Sequence, residues 1–219
     1  MSKPKRKEKE IYRPPSPPRW KGRDSLDLAY QLNQRAFRLV RDMAARPDVS
    51  DWPLFAQDRG LWSQLDAGAI ERAARFPFVI LDVHFTDAEW WRGVIAGSEA
   101  SATPQDWPPQ VSEHLMSETL IFAWHTAKWD HRVARLSLGM LPAVAESIAA
   151  LTPQQLATIS GQYSGALRLR WHDYPDFWTH LLGAARGDDQ EALAEIHLHA
   201  KLLLCGELVS RSTPTRIPA

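Results

Sequence analysis

With 219 residues, 44% of them hydrophobic and 24% charged, the chain has the composition of a soluble globular protein with one large core or two small ones. No run approaches the roughly 20 apolar residues of a membrane span, and the basic, proline-rich start lacks a secretory h-region and cleavage site, so a cytoplasmic protein is expected. The only cysteine, Cys205, excludes an internal disulfide framework and any multi-cysteine zinc site within one chain. The formal net charge of zero hides an asymmetry: residues 1–24 hold nine Lys or Arg against Glu8, Glu10 and Asp24, a balance of +6 that leaves −6 on the remainder. Such a tail is either a solvated extension or a source of sequence-independent attraction to phosphates.

Pro14, Pro15, Pro17 and Pro18 make residues 1–24 a basic, disordered tail, and folding is expected after it. Leu26, Tyr30, Phe37, Val40 and Met43 predict a helix over residues 25–46, with Ser25 as N-cap and Pro47 as stop. A loop over residues 48–60 should hold Trp52, Leu54 and Phe55 against the core, followed by a helix over residues 61–75 that buries Trp62, Leu65, Ile70 and Ala74. The run FPFVILDVHF, Phe76 to Phe85, is strand-like but has no evident partner, which suggests a buried extended connector. Thr86 to Glu89 spells a capping box ahead of a short helix to Ala96, and the Ser-, Pro- and Gly-rich stretch 97–110 is the candidate boundary between two halves.

From Ser112 to Gly139, Leu115, Thr119, Phe122, Thr126, Trp129, Val133 and Leu136 fall alternately four and three residues apart, which predicts one helix of about seven turns ended by Gly139. A short helix over 141–150 should point Val144, Ile148 and Leu151 inward. Thr152-Pro153-Gln154-Gln155 then opens the next with a capping box and a proline at the first helical position. ALRLRW, Ala166 to Trp171, alternates as an edge strand does, and two more helices are expected over 174–186 and 189–209, joined through Gly187, before a polar tail 210–219. The last is Leu-rich and should pack deeply or against another chain. The fold class is all-α: a multi-helix bundle with at most one short extended segment in each half.

No nucleophile elbow, phosphate loop, dinucleotide fingerprint, HExxH or CxxC occurs, so the chain is not expected to be an enzyme or to carry a cofactor or metal. His197 and His199, two apart on a helix, diverge by about 200° and cannot chelate one ion together. Asp82 and His84 could form a buried polar pair, and the ten tryptophans read as core and interface anchors. The order of helix, Leu-Gly-Met turn, short helix, capping box and short helix resembles a helix-turn-helix reader that would present Gln154, Gln155 and Thr158 outward.

One family fits these residues. Ala123, Asp130 and Ala134, then Leu138-Gly139-Met140, Ala149-Ala150-Leu151-Thr152, Gln155-Leu156 and Leu169-Arg170-Trp171 lie in the order and spacing of the flagellar regulator subunit FlhD. Arg186-Gly187-Asp188-Asp189 and Ile196-His197 resemble a second block of that family. Residues 111–209 therefore resemble FlhD, whereas residues 25–110 have no counterpart and Leu167 stands where the family has a cysteine. The resemblance implies an all-α homodimer that assembles with an FlhC-like zinc-binding partner on promoter DNA and activates transcription, with Arg186 and His197 in the activating segment. The expected phosphate contacts are Arg168, Arg170 and Arg186. The rival expectation is a non-enzymatic helical adaptor of a motility or secretion system that binds no DNA.

Overall fold

The computed structural model describes residues 22–46, 55–98, 107 and 109–212. The expected tail 1–24 lies outside them except for its last three residues, as do Pro47, Trp52, Leu54, most of the 97–110 loop and residues 213–219. The helices are α1 (Gly22–Ala44), α2 (Phe55–Ser63), α3 (Ala67–Ala73), α4 (Ala88–Ile95), α5 (Pro109–Trp129), α6 (His131–Leu138), α7 (Pro142–Ala150), α8 (Pro153–Gln162), α9 (Pro175–Gly187) and α10 (Gln190–Ser212). A two-residue strand β1 (Leu81–Asp82) pairs antiparallel with β2 (Arg168–Leu169). The all-α class holds.

The extended run from Phe76 to Phe85 lies at the centre. Eight of its ten residues are buried, seven of them hydrophobic and the eighth Asp82, so its backbone needs partners that water cannot supply. Neighbouring elements provide them. Buried Asn33 of α1 donates from Nδ2 to the Phe78 carbonyl at 2.8 Å and accepts the Ile80 amide at 2.9 Å. The Val79 amide donates to Ser137 O at the end of α6, Leu141 ahead of α7 donates to Phe85 O, and Trp91 of α4 donates from Nε1 to Val83 O. The rest comes from the ALRLRW arm: Leu81 faces Leu169, Asp82 faces Arg168, and the Arg170 amide donates to Ile80 O. The connector thus has a strand partner after all. The ladder ends where His84 and Trp171 turn left-handed, at φ 48° and 54°.

Several helix boundaries differ from the pattern-based ones because short acids cap where periodicity ran on. The expected seven-turn helix breaks at Asp130, whose extended backbone and side chain, accepting from Arg132 N at 2.7 Å, start α6 afresh. At the break and beyond it the stripe fails: Trp129, the last residue of α5, is 42% and Leu136 70% exposed, and Ala134 and Leu138 are buried instead. Asp66 divides the 61–75 helix in the same manner, although Trp62, Leu65, Ile70 and Ala74 are all buried as expected. Asp87 rather than Thr86 caps α4. Ser25 is buried one turn inside α1 and caps nothing, Asp188 rather than Gly187 takes the left-handed position after α9, and α10 runs three residues into the expected polar tail. The Thr152–Gln155 box forms with both of its hydrogen bonds.

One hydrophobic core runs from Ala29 to Leu204 across the expected boundary near residue 110. Helix α5 packs on α1, α7 and α8, and α9 packs on α2, α3 and α10. Phe37, Trp62 and Trp178 join the two segments with ring centroids 5.4–6.0 Å apart. Gly139 ends α6 at φ 58°, where a β-carbon would lie 2.5 Å from Leu204 Cδ1 and 3.1 Å from Arg170.

Asn33 is the residue on which the connector's pairing most depends. Asn33→Ala should cost about 2–4 kcal/mol, because it leaves the Ile80 amide and Phe78 carbonyl buried without their partner. Urea unfolding of the variant beside the parent measures it.

Candidate functional site

Asp82, 5% exposed, is held by Arg168, whose Nε and Nη2 donate to Oδ2 at 3.0 and 2.9 Å, and it accepts the Phe85 amide at Oδ1. Burial alone would raise the Asp82 carboxyl, but Arg170 and Arg168 outweigh it and hold it below the ordinary carboxylate value. Arg170 is 3% exposed. Its guanidinium donates to Val79 O, to Leu138 O and, at 3.1 Å, to Glu207 of α10, whose other oxygen accepts Trp171 Nε1 at 2.6 Å.

Arg170 is therefore no phosphate contact; it ties the connector, the end of α6 and α10 together. Arg168 is part-exposed but engaged by a buried carboxylate. Beside them a polar cleft of about 250 Å³ is lined by Thr86, His172 and Asp173 as well as Asp82, Arg168 and Glu207, so acids balance bases there. Asp82 and His84 do not pair as expected: His84 stacks on Trp90 at 4.6 Å.

The reader-like segment has the expected order of helices and capping box but not the expected chemistry. Helices α6 and α7 meet at 113° across Gly139-Met140-Leu141, ahead of the α7–α8 pair expected to do the reading. Gln154, Gln155 and Thr158 are exposed on α8, but Gln155 is engaged in the capping box and the Thr158 hydroxyl donates to Gln154 O. From Pro142 to Gln162 there is no Lys or Arg, and Glu146 is exposed. Phosphate contacts normally position a reading helix, and this surface supplies no cation for them.

The remaining candidates lie elsewhere. Arg186 is exposed at the end of α9, and half-buried His197 packs edge-on against Phe76 at 4.6 Å. The structure thus leaves Gln154, Gln155 and Thr158 together on α8 and Arg168 and Arg170 together in and just after β2, with Arg186 on α9 and His197 on α10 apart from both. Among the described residues no three His, Cys, Asp or Glu side chains gather to hold a metal ion, and no single helix is long and apolar enough to cross a membrane.

A feature that pattern reading missed is the groove between α1 and α5, about 430 Å³ and mostly apolar. Leu32 and Phe122, 7% and 8% exposed, form its floor. Leu28 and Ile121 flank it, and the ion pair between Arg35 and Glu118 crosses one end, with His125 toward the other. Two signals pointed there: Leu28 and Leu32, one turn apart on α1, and Ile121, an apolar residue outside the α5 stripe. Neither a family model, nor a curated protein, nor a solved structure matches the chain.

Two predictions follow from the buried polar groups. Arg170→Ala should destabilise by about 3–5 kcal/mol, since it leaves two buried carbonyls without their donor, Glu207 without its cation and Asp82 with Arg168 alone, and a double-mutant cycle with Glu207→Gln measures the share due to that pair.

His84 and His197 both titrate below the ordinary histidine value of 6.5. Burial dominates in each, reinforced by Arg168 for the first and by Lys201 and Arg75 for the second, over the opposing pull of Asp82 and Asp87 or of the Ala73 carbonyl. The unfolded chain then binds protons more readily, so stability should fall as pH drops from above 6.5 through the folded values. Chemical denaturation at a series of pH values should show this slope, and His197→Gln should reduce it.

Proposed function

We propose that the chain is a non-enzymatic helical adaptor whose contacts are with protein chains rather than with nucleic acid or a small substrate. The observation that carries this reading is a contrast of surfaces: the α1–α5 groove is apolar and open, whereas the reader-like α7–α8 segment offers no cation. A groove between two helices accepts the apolar face of a third by burying area that water otherwise covers.

A second reading, a DNA-associated regulator subunit resembling FlhD with an FlhC-like zinc-binding partner, draws on the order of short helices α7 and α8 and on the exposed Gln154, Gln155, Thr158 and Arg186. The two readings differ in salt dependence. On the adaptor reading, the intact chain shows no DNA affinity that falls steeply with ionic strength, and Ile121→Asp abolishes protein association while circular dichroism stays that of the parent. On the regulator reading, DNA affinity falls steeply with salt and is weakened by Arg186→Ala or by removing residues 1–24, and Ile121→Asp changes nothing. Fluorescence anisotropy with duplex DNA and sedimentation velocity on the same preparations decide between them.

A further inference from the structure

Along extended backbone alternate side chains point to opposite faces, yet Arg170, Trp171, His172 and Asp173 all line the polar cleft beside β2, together with Arg168. The turn at Trp171 makes this possible. Its φ of 54° is left-handed, which a large side chain adopts only where its surroundings hold it there. Three hydrogen bonds do so: Nε1 donates to Glu207 at 2.6 Å, and the carbonyl accepts the Tyr174 amide at 2.8 Å and Trp178 Nε1 at 2.9 Å. The cleft of about 250 Å³ is thus formed in advance of anything that enters it, with buried Asp82 and Arg170 in its wall.

That wall carries hydrogen-bonding capacity the fold leaves unused. Arg168 gives Nε and Nη2 to Asp82, and among the described residues its Nη1 has no partner. The part-buried Thr86 hydroxyl has none among them either. On the turn, His172 Nδ1 lies 3.1 Å from the Leu169 carbonyl, which can only accept, so Nδ1 carries a proton and Nε2 of the neutral ring is left as an acceptor. The exposed Asp173 carboxylate is also without a partner among the described residues.

Open donors therefore stand beside the ladder, on Arg168 and Thr86, and open acceptors on the turn, on His172 and Asp173. Three carboxylates, those of Asp82, Asp173 and Glu207, share the cleft with two guanidiniums, so a simple anion meets more acid than base. A simple amine leaves Arg168 Nη1 and the Thr86 hydroxyl unanswered. A molecule with an ammonium and a carboxylate close together answers both sets. The volume lies below the roughly 300–1,000 Å³ of a drug-sized pocket, which keeps that molecule small.

We propose that this cleft binds a free α-amino acid, its ammonium at Asp173 and His172 Nε2 and its carboxylate at Arg168 Nη1 and the Thr86 hydroxyl. The amino acid is held and not converted, so the site goes beyond the adaptor reading and does not depend on it. Glu207 of α10 lines the same cleft, so the ligand sits between the β2 turn and the last helix and stabilises the folded chain by mass action.

Calorimetric titration of the intact chain with the standard free L-amino acids, one at a time, tests it, with thermal unfolding followed by circular dichroism in parallel. At least one should bind one-to-one and raise the unfolding midpoint as its concentration rises. Its N-acetyl derivative, which lacks the ammonium, and its amide, which lacks the carboxylate, should each bind at least about tenfold more weakly, the loss of a charge-assisted hydrogen bond. Asp173→Asn should weaken binding of the free amino acid by a similar factor and Thr86→Val by less. Without amino acid both variants should unfold at the parent's midpoint, because neither group has a partner in the free protein for the fold to lose.

No binding by any of the amino acids overturns the proposal. Equal affinity for the N-acetyl and amide derivatives, or for the Asp173→Asn chain, overturns it too, since the ligand is then held by something other than its two charges. None of these outcomes touches the α1–α5 groove: a chain that binds an amino acid but no protein keeps this site and loses the adaptor reading.

Discussion

A buried stretch of extended backbone inside a helical protein has to find its hydrogen-bond partners in the side chains and chain ends around it, and the Phe76–Phe85 connector imposes that requirement on this molecule. A helix satisfies its own interior amides; this segment satisfies almost none of its own. Asn33, Ser137, Leu141, Trp91 and the β2 arm each supply a donor or acceptor, so α1, α4, α6, α7 and β2 are held at fixed positions around one line of backbone. Each partner comes from a different point in the chain, which makes the packing of the two segments mutually dependent.

The same requirement explains the arginines. Strand pairing places Asp82 opposite Arg168, and Arg170, the residue after β2, enters the core just before the left-handed turn at Trp171. A buried cation is tolerated only when neutralised and hydrogen-bonded, and Asp82, Glu207 and two main-chain carbonyls meet that condition. Glu207 comes from α10, so docking of the last helix is linked electrostatically to the connector. Gly139 belongs to this arrangement as well: its missing β-carbon leaves room for Leu204 and for the Arg170 guanidinium. Arg170, whose charge suggested a polyanion surface, is for this reason an interior cross-link.

What remains outside is shaped by helix geometry. Because α1 and α5 bury their broader faces inward, the seam between them stays open as an apolar groove, and because α10 meets the body along one side, its leucines at 198 and 202 face outward. Surface of this kind has no role in the isolated fold, where exposed leucine is neutral at best, and the groove is the surface from which the adaptor reading is drawn.

The sequence by itself determined the element types and most of the buried set. Period and composition located α1, α5, α7, α8 and α10, the inward faces with Trp62, Ile70, Val144 and Ile148, the capping box at Thr152, the left-handed end at Gly139 and the extended character of 76–85. These depend on contacts within a few residues, where spacing and side-chain chemistry carry the information. The tertiary structure decided the break at Asp130, the pairing of β1 with β2, the burial of Arg170 and the clamp by Asn33. Each of these is settled by a partner between 32 and 91 residues away or by competition between a local cap and a longer helix, and periodicity registers neither. An arginine reads as surface until its carboxylate is brought in from elsewhere in the chain, and only folding brings it.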